Sequence, residues 1–247
     1  RDPAEIRELF DAISYSKGGS VLRMLEDYLG APEFQRGLSD YLLSHSYGNA
    51  RGQDLWHALE KASGKPAVAV ANAWIKQVGY PVLHASVSRD FGFTRLTLRQ
   101  ERFTYDHLLV QDSVDTTTWP LPLRVRHDNA GDDAVTLFEA HEGTQEIAKE
   151  SQWVKVNAGQ TGFFRVDYSQ EEWVRLREAV SKKSISAMDR LSLQDDAYAL
   201  MRAGHEQATT FLSLVDAYDA ETNAIVLSDL ASNLRGLDTL LWDEPYS

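Results

Sequence analysis

The spacing of apolar residues changes twice along this sequence. Up to about Gly79, apolar side chains recur every three or four residues, which predicts helices. From Tyr80 to about Tyr168, short stretches alternate apolar with polar residues, which indicates half-buried strands separated by turns. The helical spacing returns at Ser169 and continues towards the end of the chain. The pattern therefore predicts an α+β chain of three separate bodies.

Four helices are predicted in the first segment. The first begins after Ser14, whose hydroxyl can accept a hydrogen bond from the first turn, and ends near Gly30, which can adopt the left-handed conformation. The second begins at Pro32, and the others end near Gly64 and Gly79. The predicted apolar stripes comprise Tyr15, Gly18, Leu22, Leu25 and Leu29 in the first helix; Phe34, Leu38, Tyr41 and Leu42 in the second; Leu55, Trp56, Leu59 and Ala62 in the third; and Ala71, Trp74, Ile75 and Val78 in the fourth.

The middle segment is predicted to be a small β-sandwich, because several short strands are broken by turns. The predicted strands are one that begins at Pro81 and those at 94–99, 121–126, 135–138, 153–156 and 162–166. In the last segment, three helices are predicted around Trp173, Leu193 and Leu227. The third of them carries leucines at three- and four-residue steps up to Leu241.

Composition excludes several classes of protein. The net charge of −12 over 247 residues argues against a nucleic-acid partner, which would require a basic face. The chain has no cysteine and no Asn-x-Ser/Thr sequon, which together favour a reducing compartment and a cytoplasmic location. No apolar run approaches the length of a membrane span, so no membrane partner is expected. Because the chain begins with Arg1 and not with Met, it is expected to be a fragment of a longer protein.

Tyr15 is the first candidate for a chemical role. It lies in the stretch from Phe10 to Leu25, at the start of the first predicted helix. The spacing alone favours a core residue whose hydroxyl bonds to a neighbouring group. However, the stretch resembles the segment that carries the catalytic tyrosine in zinc aminopeptidases of the aminopeptidase N family, which are gluzincin metallopeptidases.

The resemblance extends along the whole chain and is strongest to the puromycin-sensitive branch of that family. Four matching blocks follow one another in the family's order. The first comprises 47–50 and 54–56, and the second comprises 62–66, Trp74, Gln77 and 79–81. The third is 153–165, and the fourth comprises 189–191, 195–196 and 202–204. The resemblance implies that residues 1–80 are the C-terminal helices of a thermolysin-like catalytic domain. Residues 81–168 would be a β-sandwich domain, and residues 169–247 the first hairpins of an α-helical superhelix domain.

The resemblance also implies a reaction. Enzymes of this family attack the first peptide bond of a peptide that has a free N-terminus, using a zinc-bound water. Tyr15 would stabilise the negative charge that develops on the carbonyl oxygen. Phe10 would form a wall of the pocket for the substrate's first side chain, and its alternative role is that of a plain core aromatic.

The zinc-binding motif of the family, H-E-x-x-H, is missing from this sequence. His141 and His205 each begin such a motif, but Gln145 and Thr209 stand where the second histidine is required. The five other histidines are expected to be surface or capped residues: His45, His57, His84, His107 and His127. Zinc is therefore expected as a cofactor of the full-length protein only. The isolated chain is expected to bind no metal and to be inactive.

Two alternatives to an enzyme fragment are open at this point. The chain could belong to a non-catalytic aminopeptidase-like scaffold, or it could be a general protein-interaction module. The presence of both Tyr15 and Phe10 favours the enzyme, because a scaffold has no need of the tyrosine hydroxyl.

Overall fold

The structure is a computed structural model that describes residues 12–105, 115–129, 134–147 and 150–242. Phe10 lies outside the described residues. Four helices come first: α1 (Ala12–Leu29), α2 (Ala31–Ser44), α3 (Gly52–Ser63) and α4 (Ala67–Lys76). Glycines with positive φ follow α1 and α3, namely Gly30 at 98° and Gly64 at 69°, as the sequence predicted. Because α1 already begins at Ala12, the prediction that Ser14 caps this helix is wrong.

The buried faces of these helices differ in part from the predicted stripes. In α2, Leu42 is 59% exposed, and the residue that is buried is Gly37, which packs closely against Leu59 of α3. In α4, Ile75 is 56% exposed. The residues buried in α1 and α4 are Val21, Met24, Leu25, Tyr28 and Leu29 in the first, and Ala67, Val70, Ala71 and Trp74 in the second. Helical spacing restricts the candidates, and contact with neighbouring helices selects which of them are buried.

Within the described residues of the middle segment, seven strands form two small sheets. The strands are β1 (Pro81–Asp90), β2 (Phe93–Arg102), β3 (Leu121–His127), β4 (Val135–Phe138), β5 (Glu142–Ile147), β6 (Val154–Val156) and β7 (Arg165–Tyr168). The four-stranded sheet has the order β5-β2-β1-β7, and the three-stranded sheet has the order β4-β3-β6. β1 and β2 are antiparallel, while β7 runs parallel to β1.

Two details of the strand prediction are wrong. The closing strand begins at Arg165 and not at Gly162. The sequence predicted no strand at residues 142–147, but they form β5, which pairs with β2. Ile147 is the only buried residue of β5, so the strand shows no apolar alternation that could have indicated it.

Four helices follow the strands: α5 (Gln170–Ser181), α6 (Ala187–Ala203), α7 (Ala208–Val215) and α8 (Ala224–Leu241). The sequence predicted three of them but not α7, which spans only eight residues. At the start of α6, the Ser186 hydroxyl accepts a hydrogen bond from the backbone N–H of Asp189. The helix ends at Gly204, which has a φ of 82°.

The buried apolar side chains of all three segments form one continuous cluster. Trp74 shows how the first two segments are joined: its indole N–H donates to the carbonyl oxygen of Pro120 at 3.0 Å. Its ring also lies 6.3 Å from that of Trp119 and 6.0 Å from that of Phe163. The type of element changes where the sequence predicted, but the expectation of three bodies with separate cores is wrong. The assignment of these segments to domains stays a prediction.

In its described residues the molecule is thus a mixed α/β chain of eight α-helices and two small sheets. None of the helices in this part of the chain combines the length and the hydrophobicity that crossing a bilayer requires.

Candidate functional site

The helix that carries Tyr15 is anchored near its N-terminal end. The Lys17 ammonium donates to the carbonyl oxygens of Gln77 and Gly79, each at 3.3 Å. These two carbonyls follow α4 directly in the chain. Burial lowers the pKa of Lys17. Lys17 therefore connects α1 to the point where the helical segment passes into β1.

The C-terminal half of α1 is anchored to the strands. The Asp27 carboxylate accepts hydrogen bonds from the Arg124 guanidinium at 2.6 and 3.3 Å and from the Thr161 hydroxyl at 2.8 Å. Arg23 donates to the carbonyl oxygen of Gly159 at 3.2 Å. A helix fixed at both ends holds its side chains in defined positions, which a catalytic group requires.

Tyr15 itself lies on the surface of the described structure. Its side chain is 66% exposed, and it is not part of the apolar cluster. The alternative interpretation, that Tyr15 opens a core stripe, is therefore wrong for this chain. The buried face of α1 starts at Val21, one and a half turns later.

A cleft of about 370 Å³ lies beside α1. Ser20 and Arg23 of α1 line this cleft. Arg165 also lines it and forms ion pairs with Asp195 and, at 3.1 Å, with Asp196. Burial raises the pKa of Asp196 to about 6 against the attraction of Arg165 and the buried Lys155. The cleft therefore has polar, charged walls close to the helix of Tyr15.

The structure also brings together a group of side chains that the sequence left scattered. His84 of β1, Glu101 of β2 and His205, which follows α6, each place one potential metal ligand within 4.8 Å of the other two. The His84 Nδ1 lies 2.8 Å from Asp167 Oδ2, and its Nε2 lies 3.1 Å from Glu101 Oε1. Burial alone would lower the pKa of His84, but its hydrogen bonds with the two carboxylates raise it to about 9. The hydrogen bond with His84 in turn lowers the pKa of Glu101 to about 2.

This group corrects the sequence analysis. His84 was expected to be a surface or capped residue, and no three ligands were expected to lie together. Only part of the group could have been found from the sequence: strand register places His84 near Glu101 and Asp167, but nothing local points to His205. The expectation that this chain binds no metal was based on histidines that are scattered along the sequence. The structure removes that reason, because it brings two of them together with Glu101.

Comparison with known proteins places the fold in a family. The Peptidase family M1 domain matches residues 1–74, and the ERAP1-like C-terminal domain matches residues 153–247. Over these residues the chain matches peptidase family M1. The matches leave residues 75–152 between them, where the two sheets begin.

Relatives from distant organisms support this match. The chain is 39% identical over 237 residues to Tricorn protease-interacting factor F2 of Thermoplasma acidophilum, covering 96% of this chain and 28% of the relative. It is 37% identical to the alanine/arginine aminopeptidase of Saccharomyces cerevisiae, covering 98% of this chain and 27% of the relative. It is also 37% identical to aminopeptidase M1-A of Oryza sativa subsp. japonica, covering 96% and 26% respectively. The chain thus spans about a quarter of the length of the curated relatives it matches.

The residues of this chain do not fit the zinc motif that the family resemblance implies. That motif needs two histidines one turn apart on a helix. His141 immediately precedes β5, and Glu142 lies in that strand. His205 and Glu206 follow the end of α6. The zinc centre of an M1 peptidase therefore cannot be built from either of these two sequences.

Proposed function

We propose that this chain is part of a zinc-dependent aminopeptidase that removes N-terminal amino acids from peptides. The observation that carries the proposal is the exposed Tyr15 on the anchored helix α1, inside the stretch that matches the M1 domain. The names of the yeast and rice relatives, both aminopeptidases, support the same reaction. In this proposal the segments of the chain are the end of the catalytic domain, a β-sandwich made of the two sheets, and the start of a helical domain.

The role of Tyr15 follows from the charge that develops in the reaction. In such an enzyme, zinc held by residues outside this chain would supply an activated water. Attack on the peptide carbonyl would place negative charge on the carbonyl oxygen. The Tyr15 hydroxyl would donate a hydrogen bond to this oxygen and stabilise the charge. The hydrogen bonds of Lys17 and Asp27 hold α1 in place, so the Tyr15 hydroxyl needs little reorganisation at the moment of reaction.

Substrate class and cellular location belong to the same proposal. The substrates are peptides with a free N-terminus, and Phe10 forms a wall of the pocket that receives their first side chain. The absence of cysteine fits a cytoplasmic enzyme.

The first test compares the full-length protein with this chain alone. The full-length, zinc-loaded protein is expected to hydrolyse aminoacyl p-nitroanilides, to lose the activity with a chelator and to regain it with zinc. The isolated chain should show no hydrolysis at the same concentrations, because its sequence contains no H-E-x-x-H motif. Steady-state rates over a panel of amino acids provide the measurement. A folded, zinc-loaded full-length protein that is inactive on the whole panel would favour the non-catalytic scaffold.

A second test concerns Phe10. Phe10→Ala in the full-length protein should change which N-terminal residue is preferred, since the smaller side chain enlarges the pocket without touching the reacting centre. One methylene more or less in an apolar pocket typically alters kcat/KM by about 10- to 200-fold, so the larger change from Phe to Ala should be easily measured. We expect large apolar residues to gain relative to small ones on the same panel. Equal rate losses for every substrate would instead indicate that Phe10 is a plain core aromatic.

A further inference from the structure

We propose that His84, Glu101 and His205 form a cation site for a divalent transition metal such as zinc, separate from the zinc centre expected of an M1 peptidase. The site would join the four-stranded sheet to the end of α6. It does not depend on the proposed aminopeptidase activity, since none of its residues is assigned to that reaction.

Strand register places the first part of the site. His84 of β1 stands opposite Arg99 of β2, and Val82 stands opposite Glu101. Because residues two apart on a strand share a face, His84 and Glu101 are diagonal neighbours on the same side of the sheet. β7 lies along the other edge of β1, where Asp167 is paired with His84. The imidazole therefore lies between two carboxylates, a position that is electrostatically suited to a cation.

The second imidazole comes from the turn after α6. Gly204 ends that helix in the left-handed conformation, and the backbone N–H of His205 then donates to the carbonyl oxygen of Leu200 at 2.9 Å. The His205 ring stacks on Phe103 with centroids 5.8 Å apart and lies 5.9 Å from the His84 ring. The helix end and the stacking contact together hold this ring beside the sheet.

The neighbours of His84 and Glu101 leave one suitable ligand atom on each of these two side chains. Asp167 accepts from His84 Nδ1, so a metal that replaces the Nε2 proton, which now faces Glu101, can bind at Nε2, as in the carboxylate–histidine–metal arrangement. Arg99 holds Glu101 Oε2 at 2.6 Å, while Oε1 lies 3.1 Å from His84 Nε2. The ligand atoms of the two strands thus face each other already.

Ligand chemistry and spacing fit zinc. Two imidazoles and one carboxylate, with a water in the fourth position, are a ligand set that zinc accepts. Ligands at the usual zinc distances of ~2.0–2.2 Å lie about 3.3–3.6 Å from one another in a tetrahedral site. The ligand atoms lie within 4.8 Å of one another here, so adjustment of side chains closes the site. His84 and Glu101 are partly buried, with 20% and 24% of their side chains exposed, so the site lies near the surface of the chain.

The test measures zinc binding to this chain directly. Titration calorimetry and competition with a chromophoric chelator should show one zinc per chain, and zinc should raise the melting temperature. His205→Gln and Glu101→Gln should each abolish this binding, and Asp167→Asn should weaken it by about 10- to 100-fold. The control is His57→Gln, which alters an exposed histidine outside the site and should bind zinc like the wild type.

Circular dichroism establishes that each variant is folded before it is titrated. His205→Gln changes a turn residue and breaks no strand pairing. It therefore tests whether the site binds zinc even if a variant in a strand fails to fold. A folded wild-type chain that binds no zinc would overturn the proposal. Unchanged binding by His205→Gln, or loss of binding in His57→Gln, would overturn it as well. Neither result bears on aminopeptidase activity, so the two proposals fail independently.

Discussion

Replacement of Tyr15 by phenylalanine in the full-length protein is expected to lower kcat by about a hundred- to a thousandfold and to leave KM nearly unchanged. A hydroxyl that donates to the oxyanion acts only as the transition state forms, so its loss removes no binding of the ground state. The ring itself is retained in Tyr15→Phe. Because the Tyr15 side chain is 66% exposed in this chain, the substitution should not alter the core.

The measurement is steady-state hydrolysis by the wild type and the variant, with thermal melts of both. Tyr47→Phe is the matched control, since Tyr47 is an exposed tyrosine in the same helical segment and has no proposed role. Its kcat should equal that of the wild type. If Tyr15→Phe also keeps its kcat, the catalytic assignment fails however close the family match. A lowered melting temperature with unchanged kcat would indicate a structural role instead.

The largest expected effect on stability comes from Arg89→Met. Glu172 of α5 has only 1% of its side chain exposed, and it pairs with Arg89 at 2.7 Å and accepts from the Val154 N–H at 2.6 Å. Removal of Arg89 takes away the cation that forms the ion pair with this buried carboxylate. Such a loss typically lowers the free energy of unfolding by about 3–5 kcal/mol. Urea unfolding of this chain measures the difference.

The same pair gives a pH dependence with a defined sign. Burial raises the pKa of Glu172 above its ordinary value of 4.5, and Arg89 opposes that rise. Without Arg89 the pKa of the folded state rises further. Between the pKa values of the unfolded and folded states, the folded chain then binds more protons, so its stability falls as pH rises. The deficit of Arg89→Met should therefore be larger at pH 8 than at pH 5.

Two further variants separate the charge from the packing. In Arg89→Met with Glu172→Gln, neither partner of this pair is charged and the amide oxygen can still accept from Val154, so much of the deficit should be recovered. Lys182→Met breaks an exposed pair with Glu178 and should change stability by less than about 1 kcal/mol. A deficit for Arg89→Met as small as that of Lys182→Met would contradict the argument. So would a double variant no more stable than Arg89→Met alone.

Much of the local structure could be predicted from the sequence. Gly30, Gly64 and Gly204 mark the ends of helices because each of them has the positive φ that glycine adopts without steric cost. Pro81 marks the start of β1, since proline cannot continue a helix. The motifs around Tyr15 and along the rest of the chain led to the family that the comparisons support. These signals are local, and each depends only on the residue and its near neighbours.

Signals that depend on distant partners were missed or misplaced. β5 has one buried residue and is a strand because β2 offers it hydrogen bonds. α7 is eight residues long, and Phe211 and Leu214 bury its inner face against the helices around it. In α4 the helical spacing allowed Ile75 to be buried, but the neighbouring elements cover Trp74 and leave Ile75 in solvent.

The group of His84, Glu101 and His205 shows most clearly the difference between local signals and those that depend on distant partners. Strand pairing brings the first two together, and the end of α6 carries the third to them from more than a hundred residues away in the chain. The identities of these residues, and the capacity of each to bind a proton or a metal, are properties of the sequence. Their proximity was decided by the tertiary structure alone, because it depends on how α6 packs against the sheet and not on any periodicity along the chain.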